Sequence, residues 1–318
     1  MRVVVVGAGL SGLVAANTLA NVGHDVVVLD KGPSVGGRLA TRRIGDAVLD
    51  HGAQFFTVRG DAFRAQVDDW LDRGLVRVWC HGFEPDGDGY PRYCGTAGMN
   101  SLAKDLAQGL DCRTRQMVFT CRPTEDGWDV VVDDGTVIEA DALLLTCPAP
   151  QSWALLVESE LDVPDALFRR EYHRTIGLLA VLDAPSAVPD PGGVQFDPTD
   201  PDAPFGFIAD NAMKGVSTVP ALTAHATQPW SLEHWDDDHD VVRALLLDRA
   251  QPWIGTARVV ETQVKKWRFA GPIEPWPEAC WIDDEHDLVL AGDIFAGPKV
   301  EGAFDSGVAA AAALEALA

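Results

Sequence analysis

Two glycine-rich loops, one near each end of the chain, hold residues whose types and spacing suit the binding of phosphate and hydroxyl groups. The first loop, GAGLSG, places Gly7, Gly9 and Gly12 in the spacing G-x-G-x-x-G. Glycines so spaced permit a tight turn, a close approach of the backbone to a pyrophosphate, and close packing of a helix on a strand. We therefore expect Gly7, Gly9, Leu10, Ser11 and Gly12 to bind a dinucleotide.

The elements around this loop are those that such a site needs. The run RVVVV before it is typical of a parallel strand buried on both faces. Apolar residues then recur at helical spacing through LSGLVAANTLANVG, and a second strand, HDVVVLD, ends at Asp30. The helix N-terminus attracts a pyrophosphate, and an acid at this distance accepts a hydrogen bond from a ribose hydroxyl. Asp30 and Lys31 therefore join the predicted site.

The chain is strongly acidic, so the cations near these loops bear on whether an anionic ligand can bind there. The formal net charge is −23, with 35 Asp and only 6 Lys. Such a field repels nucleic acid and anionic membrane surfaces, so neither is expected as a partner. A solvated surface and an adaptation to high salt are both open interpretations of the acidic excess. An anionic ligand would need local positive charge, which Arg38, Arg42 and Arg43 can supply.

Length and cysteine usage indicate a two-domain cytoplasmic protein. The 318 residues are enough for two domains, or for one domain with a large insertion. The chain enters an apolar strand after two residues, which leaves no room for a signal peptide, and it contains no long apolar run for a membrane span. The six cysteines are scattered, as expected for reduced thiols, and no metal site is predicted.

The segments KGPSVGGRLATRR and LDHGAQFFT, which follow Asp30, resemble the flavin-dependent amine oxidase superfamily. This resemblance implies that the dinucleotide is FAD. It further implies that ten residues contact this cofactor, namely Gly37, Arg38, Gly52, Ala53, Gln54, Phe55, Val118, Asp293, Gly302 and Ala303. The last three belong to the second glycine-rich loop, and a helix starting near Ser306 is expected to direct its positive end at the flavin.

The same resemblance, with the strand-like runs and one amphipathic helix of the middle segment, predicts the architecture. We expect an α/β fold whose Rossmann-type FAD-binding domain, of the GR2 or amine-oxidase kind, combines residues 1–76, 96–158 and 268–318. An inserted substrate domain with a mixed antiparallel sheet, of α+β type, is expected from residues 77–95 and 159–267. No cysteine is placed to carry the flavin covalently, so FAD is expected to bind non-covalently.

Within the superfamily, ALTAHATQPWSLEH and VKKWRFA resemble segments of renalase and its bacterial relatives. This implies an oxidase that takes hydride from a 2- or 6-dihydro isomer of NAD(P) to flavin N5 and passes the electrons to O₂, giving H₂O₂. Asn211, His225 and Trp267 are expected to line the substrate site. Two alternatives stay open: a flavin amine oxidase or desaturase with an unknown amine or apolar substrate, and a flavoprotein redox sensor or binding module without turnover.

Overall fold

The computed structural model describes residues 1–83, 87–159, 161–197, 200, 203 and 205–318. Within these residues, no helix combines the length and apolarity that a membrane crossing requires. In chain order the elements are β1 (Arg2–Val6), α1 (Leu10–Asn21), β2 (Asp25–Asp30), β3 (Thr41–Ile44), β4 (Ala47–Asp50), α2 (Asp61–Asp72), β5 (Val76–Cys80), β6 (Arg92–Gly95), α3 (Asn100–Leu106), β7 (Asp111–Thr114), β8 (Val118–Thr124), β9 (Gly127–Val132), β10 (Val137–Ala140), β11 (Ala142–Leu145), α4 (Ala149–Leu156), α5 (Asp165–Phe168), β12 (Tyr172–Leu182), β13 (Gly193–Gln195), β14 (Phe205–Asp210), β15 (Ala221–Ala226), α6 (Gln228–Glu233), α7 (His239–Ile254), β16 (Val259–Pro272), β17 (Trp281–Asp283), β18 (Leu288–Leu290), α8 (Asp293–Ala296) and α9 (Val300–Leu317).

A six-stranded sheet in the order β17-β18-β11-β1-β2-β7 forms the centre of the first layer. Its strands run parallel except for the edge strand β17, which pairs antiparallel with β18. Helices α1 and α9 pack on one face, while the antiparallel strands β8, β9 and β10 and helix α4 cover the other. Because both faces are covered, the uninterrupted valines of β1 and β2 are buried.

A five-stranded antiparallel sheet, in the order β13-β14-β15-β12-β16, forms the second layer. Side chains of successive residues alternate between the faces of a strand. One face packs on α7 through residues such as Leu222, Ala224 and Val264. The opposite face contacts the β3–β4 hairpin and presents His225 and Trp267 toward the first layer.

The predicted fold class is confirmed: a Rossmann-type α/β unit is combined with a mixed antiparallel-sheet unit. The six-stranded sheet draws on residues 2–30, 111–145 and 281–290, and the five-stranded sheet on residues 172–272. The exact division into domains stays a prediction. Of its proposed second domain, residues 84–86, 160, 198, 199, 201, 202 and 204 lie outside the described residues.

The last helix differs from the expectation drawn from the sequence, because it begins at Val300 and not near Ser306. A serine starts a helix when its hydroxyl is free to cap the first turn. The hydroxyl of Ser306 is used elsewhere: it accepts a hydrogen bond from the Gly292 N–H at 2.9 Å and donates one to the Ala279 carbonyl at 2.7 Å. The first turn of α9 therefore contains Gly302.

A buried ion pair joins the two layers. The ammonium nitrogen of Lys214 lies 2.7 Å from the Asp50 carboxylate, and both side chains are fully buried. Asp50 ends β4, and Lys214 lies in the turn between β14 and β15. The carboxylate also accepts hydrogen bonds from the Thr41 hydroxyl at 2.5 Å and the Met99 N–H at 2.8 Å. These partners satisfy a charge that could not otherwise be buried.

We expect Lys214→Met to lower the free energy of unfolding by about 3–5 kcal/mol, because it leaves the Asp50 carboxylate buried without its counter-charge. Denaturant unfolding measures the change. The double variant Asp50→Asn/Lys214→Met removes both charges and should recover much of the loss. The control, Arg169→Met, breaks an ion pair whose side chains are 78% and 77% exposed, and should cost less than about 1 kcal/mol. An equal loss in Lys214→Met and Arg169→Met would contradict this role of the pair.

Candidate functional site

A cavity of about 2650 Å³ opens at the carboxyl ends of β1, β2, β11 and β18, between the two layers. Ligands of open α/β sheets bind at this edge. The volume is more than twice the upper end of the roughly 300–1,000 Å³ typical of a pocket for one small ligand. The cavity therefore has room for an extended dinucleotide and a second molecule.

The first glycine loop forms one end of the cavity, and its three glycines meet different structural requirements. Gly7 has a φ of 113°, which side chains with a Cβ rarely adopt. A Cβ on Gly9 would meet no protein atom within 4 Å, so the space in front of it is free for a ligand. Gly12 does not line the cavity: a Cβ there would lie 2.1 Å from the Gly7 carbonyl oxygen, so it serves the packing of α1 on the loop.

The N-terminus of α1 has N–H groups that donate to no capping side chain in the described part of the chain. No side chain caps it, and the Ser11 hydroxyl is buried without a hydrogen-bond partner. Leu10 and Ser11 line the cavity beside these free N–H groups. A helix start with exposed donors and an unpaired hydroxyl is suited to a pyrophosphate.

Asp30 stands where a ribose would lie. One of its carboxylate oxygens accepts from the Ala8 N–H at 2.8 Å and the other from the Gly32 N–H at 2.6 Å, which fixes the side chain at the cavity wall. Each oxygen keeps a lone pair for a ligand hydroxyl. Lys31 and Val118 line the same end, and the Lys31 ammonium donates to Gln151 at 3.2 Å.

Arg38 and Asp293 pair with each other. The guanidinium donates two hydrogen bonds to the carboxylate, at 2.6 and 2.7 Å, and both residues line the cavity. A bidentate pair of this kind fixes both planes. It joins the segment after β2 to the second glycine-rich loop, 255 residues further along the chain.

Gly52, Ala53 and Phe55 line the middle of the cavity, but Gln54 does not. A Cβ on Gly52 would lie 1.9 Å from the Arg38 carbonyl oxygen, so no side chain fits there. The expectation that Gln54 offers a polar group to the cofactor is corrected: its amide is buried and donates to the Asp50 carbonyl at 2.7 Å and the Gly52 carbonyl at 3.1 Å. It supports the wall from behind.

Gly302 and Ala303 line the cavity in the first turn of α9. A Cβ on Gly302 would lie 2.3 Å from the Gly297 carbonyl oxygen. Glycine at this position is therefore required by the approach of the preceding loop, and this brings the N-terminus of α9 to the cavity as well. Two helix N-termini, those of α1 and α9, thus face one elongated space.

The carbonyl of His51 organises the far end of the cavity. It accepts a hydrogen bond from Trp267 Nε1 at 2.8 Å, and His225 Nε2 lies 3.1 Å from it. Since a carbonyl can only accept, His225 carries its proton on Nε2 and presents Nδ1 as an acceptor. The His51 ring stacks on the Trp267 indole with a centroid separation of 5.3 Å and an angle of 24°. All three residues line the cavity.

Both histidines are neutral at neutral pH. Burial, followed by the charge of Lys265, lowers the pKa of His51 to about 4. Burial lowers the pKa of His225 to about 4; the hydrogen bond to the His51 carbonyl opposes this shift and the nearby Lys214 charge contributes to it. His51 Nδ1 is buried without a hydrogen-bond partner in the described residues.

Asn211 was expected beside His225 and Trp267, but the structure places it behind the wall. It is fully buried and outside the cavity lining. Its amide oxygen accepts from the Asp50 N–H at 3.2 Å, and its amide nitrogen donates to the Thr223 hydroxyl at 3.0 Å. Because both ends of the amide are used by the protein, Asn211 positions the wall and leaves nothing for a substrate.

Sequence reasoning missed His51 and an aromatic cluster. His51 lies within the segment LDHGAQFFT, so its position beside Gly52 and Ala53 was a usable signal. The aromatic cluster consists of four side chains whose rings contact one another with centroid separations of 5.0–6.4 Å, namely Phe55, Trp79, Phe83 and Phe207. The sequence contains no signal for this cluster, because its residues are widely separated along the chain.

Comparisons with known proteins agree with this geometry. A family model described as NAD(P)-binding Rossmann-like domain matches residues 5–70, and one described as flavin containing amine oxidoreductase matches residues 79–314. Renalase of Mus musculus is 22% identical over 333 residues, which cover 96% of each chain. An L-amino acid oxidase of Cerastes cerastes is 57% identical over 42 residues, 13% of this chain and 8% of that protein.

Two solved structures share the fold. Wild-type putrescine oxidase bound to putrescine superimposes with a TM-score of 0.68 at 16% identity, covering 99% of each chain. A fatty acid isomerase from P. acnes that produces CLA superimposes with a TM-score of 0.71 at 12% identity, covering 97% of each chain.

The open space at Gly9 yields a test of the cofactor site. We expect Gly9→Val to fold with a melting temperature close to that of the wild-type apoprotein, yet to lose nearly all bound flavin, because the side chain meets no protein atom and enters the cavity. Gly12→Val should instead destabilise the apoprotein itself, since its Cβ lies against the Gly7 carbonyl. Flavin absorbance of the purified proteins measures occupancy. Full flavin content in Gly9→Val would place the cofactor elsewhere.

The low histidine pKa values predict a pH dependence of stability. Between about pH 6.5 and about pH 4 the unfolded chain binds protons at His51 and His225 that the folded protein does not, so stability should fall as pH decreases through this range. Denaturant midpoints at several pH values measure the slope. His225→Gln should flatten it, whereas His239→Gln, an exposed control on α7, should leave it unchanged. Equal slopes in all three proteins would contradict a neutral, buried His225.

Proposed function

Because the chain belongs to the flavin-containing amine oxidoreductase family, we propose that it is an oxidase of dihydronicotinamides. The chain is an FAD-dependent oxidoreductase of the amine oxidase type. The proposed donor is a 2- or 6-dihydro isomer of NAD(P), and the proposed final acceptor is O₂. Mouse renalase, similar over nearly the whole length of both chains, supports the choice among members of the family.

The observation that carries the proposal is the positive charge beside the His51–Trp267 ring stack. Lys265 lies two residues before Trp267 on the same face of β16, and its charge acts on His51. Arg42 acts on the same imidazole. A protonated amine would be repelled by two cations at this end of the cavity, whereas a planar ring attached to an anionic nucleotide would be attracted.

The residues of the site have roles that follow from their contacts. The flat face of the Trp267 indole and the His51 imidazole can hold a planar ring by stacking. His225 Nδ1 is available to accept a hydrogen bond from a carboxamide, and neutral imidazoles keep a further positive charge away from the reacting atoms. A bound FAD would supply the acceptor for the donor's hydride and, with one proton, the reduction of O₂ to H₂O₂. Oxidation of a dihydropyridine releases no proton from an amine, so the absence of an ionised base at this wall of the described cavity fits the reaction.

Non-covalent binding of FAD is part of the proposal. Cys147 lines the cavity, but burial raises the pKa of its thiol to about 12, so it is protonated and a poor nucleophile. It lies beside the first glycine loop, with its sulfur 3.6 Å from the Val6 carbonyl oxygen. Cys280, which lies 12 residues before Gly292 in the chain, does not line the cavity.

The amine oxidase alternative receives less support. An amine site needs aromatic walls open to the ligand. Of the four clustered rings, only Phe55 lines the cavity, and the aromatic wall at its far end, Trp267, stands beside the cations Lys265 and Arg42. The ammonium group over the Trp79 ring is the protein's own Lys214, at 5.2 Å from the centroid.

Anaerobic mixing tests the proposal. The flavin-loaded protein is mixed with 2- and 6-dihydro-NAD(P), with ordinary NADH and with a panel of amines, and the yellow flavin absorbance is followed. We expect rapid bleaching by the 2- or 6-dihydro isomers and little by the others, and admission of O₂ should restore the colour and release H₂O₂. Bleaching by amines alone would overturn the proposal in favour of an amine oxidase. No bleaching by any donor would favour a binding module or sensor.

A further inference from the structure

Two cations at the substrate end of the cavity have no acidic partner in the described part of the chain. Arg42 and Lys265 line the cavity, and no carboxylate of a described residue lies within 4 Å of either. The chain as a whole carries a net charge of −23. Two neighbouring cations that face a cavity without an acidic partner can attract an external anion.

The strand pattern fixes where these cations lie relative to the ring stack. Gln263, Lys265 and Trp267 alternate along β16 and therefore share one face. Arg42 is held to the same row, because its Nε donates to the Gln263 side chain at 3.2 Å. With a rise of about 3.3 Å per residue, Lys265 lies roughly 7 Å along the strand from Trp267, and Gln263 roughly twice as far. The row runs from an aromatic wall to a positive patch.

The cations are close enough to repel each other. Burial, and after it the charge of Arg42, lowers the pKa of the Lys265 ammonium. Like charges placed side by side weaken the fold unless an anion neutralises them. Arg42 is exposed and Lys265 half-buried, so an anion can reach both from the cavity.

We propose that Arg42 and Lys265 bind the phosphate that lies one ribose away from the substrate's reacting ring, so that the enzyme recognises a mononucleotide unit. This inference rests on the proposed function and refines it: a ring on the His51–Trp267 stack would place its 5′-phosphate near the positive patch. The second nucleotide of a dinucleotide would add little, and a nucleoside without phosphate would be a poor substrate.

The experiment compares three donors on the flavin-loaded enzyme: the dihydro isomers of nicotinamide riboside, nicotinamide mononucleotide and NAD. In the wild type, kcat/KM should be similar for the two phosphorylated donors and far lower for the riboside. Arg42→Gln and Lys265→Gln should each lower kcat/KM for the phosphorylated donors about tenfold or more, through KM, and leave the riboside unchanged. Loss of the difference between riboside and mononucleotide in the double variant is the expected signature.

Arg243→Gln provides the control, because it removes one positive charge from an exposed ion pair on α7 and should change nothing. Flavin content and melting temperature check that each variant is folded. A wild type that uses the riboside as well as the mononucleotide, or variants that lose both donors equally, would overturn the phosphate role while leaving the proposed function intact.

Calorimetry of oxidised nicotinamide mononucleotide binding gives a readout that does not depend on turnover. The wild type should bind it with an affinity that falls as salt rises, and the double variant should lose both the affinity and most of the salt dependence. If the wild type oxidises none of the donors, the proposed function fails. Mononucleotide binding that is unchanged in the double variant would then also overturn the phosphate site.

Discussion

The walls of the cavity depend on the buried contact between the Asp50 carboxylate and the Lys214 ammonium group, 2.7 Å apart. Asp50 is bonded through its side chain to Lys214, Thr41 and the Met99 N–H. Its backbone N–H and carbonyl are bonded to the side chains of Asn211, Gln54 and Thr223. The next residue, His51, supplies the carbonyl that orients Trp267 and His225. Several polar side chains with no access to the cavity therefore determine its shape.

The shape of the cavity at the end proposed for the cofactor depends largely on glycines, which have no side chain. Gly52 and Gly302 permit backbone approaches that a Cβ would block, and Gly9 leaves open the space that a cofactor needs. The Arg38–Asp293 pair then holds the segment after β2 against the second glycine-rich loop. Two helix N-termini face this space, and their partial positive charges favour an anionic ligand within a strongly acidic chain.

The end of the cavity that we propose for the substrate combines an aromatic stack with cations, and this combination bears on the proposed specificity. A neutral His51 and His225 present hydrogen-bonding nitrogens without adding charge. Lys265 and Arg42 supply the positive potential at a distance set by the spacing of residues along β16. Such an arrangement discriminates by charge as well as by shape, since a cationic ligand meets repulsion where an anionic one meets attraction.

Local patterns in the sequence determined the strand–loop–helix–strand unit, the glycine spacing and Asp30, because each depends on neighbours within about thirty residues. They also determined the strands β12, β14 and β15 and the helix α7. Only the tertiary structure decided that Lys214, 164 residues from Asp50, is its counter-ion, that Asn211 and Gln54 support the wall from behind, and that Ser306 lies inside α9. Side chains such as amides and hydroxyls can serve either a ligand or the backbone. Which of the two they serve depends on partners that the fold brings from distant parts of the chain, and no local pattern records those partners.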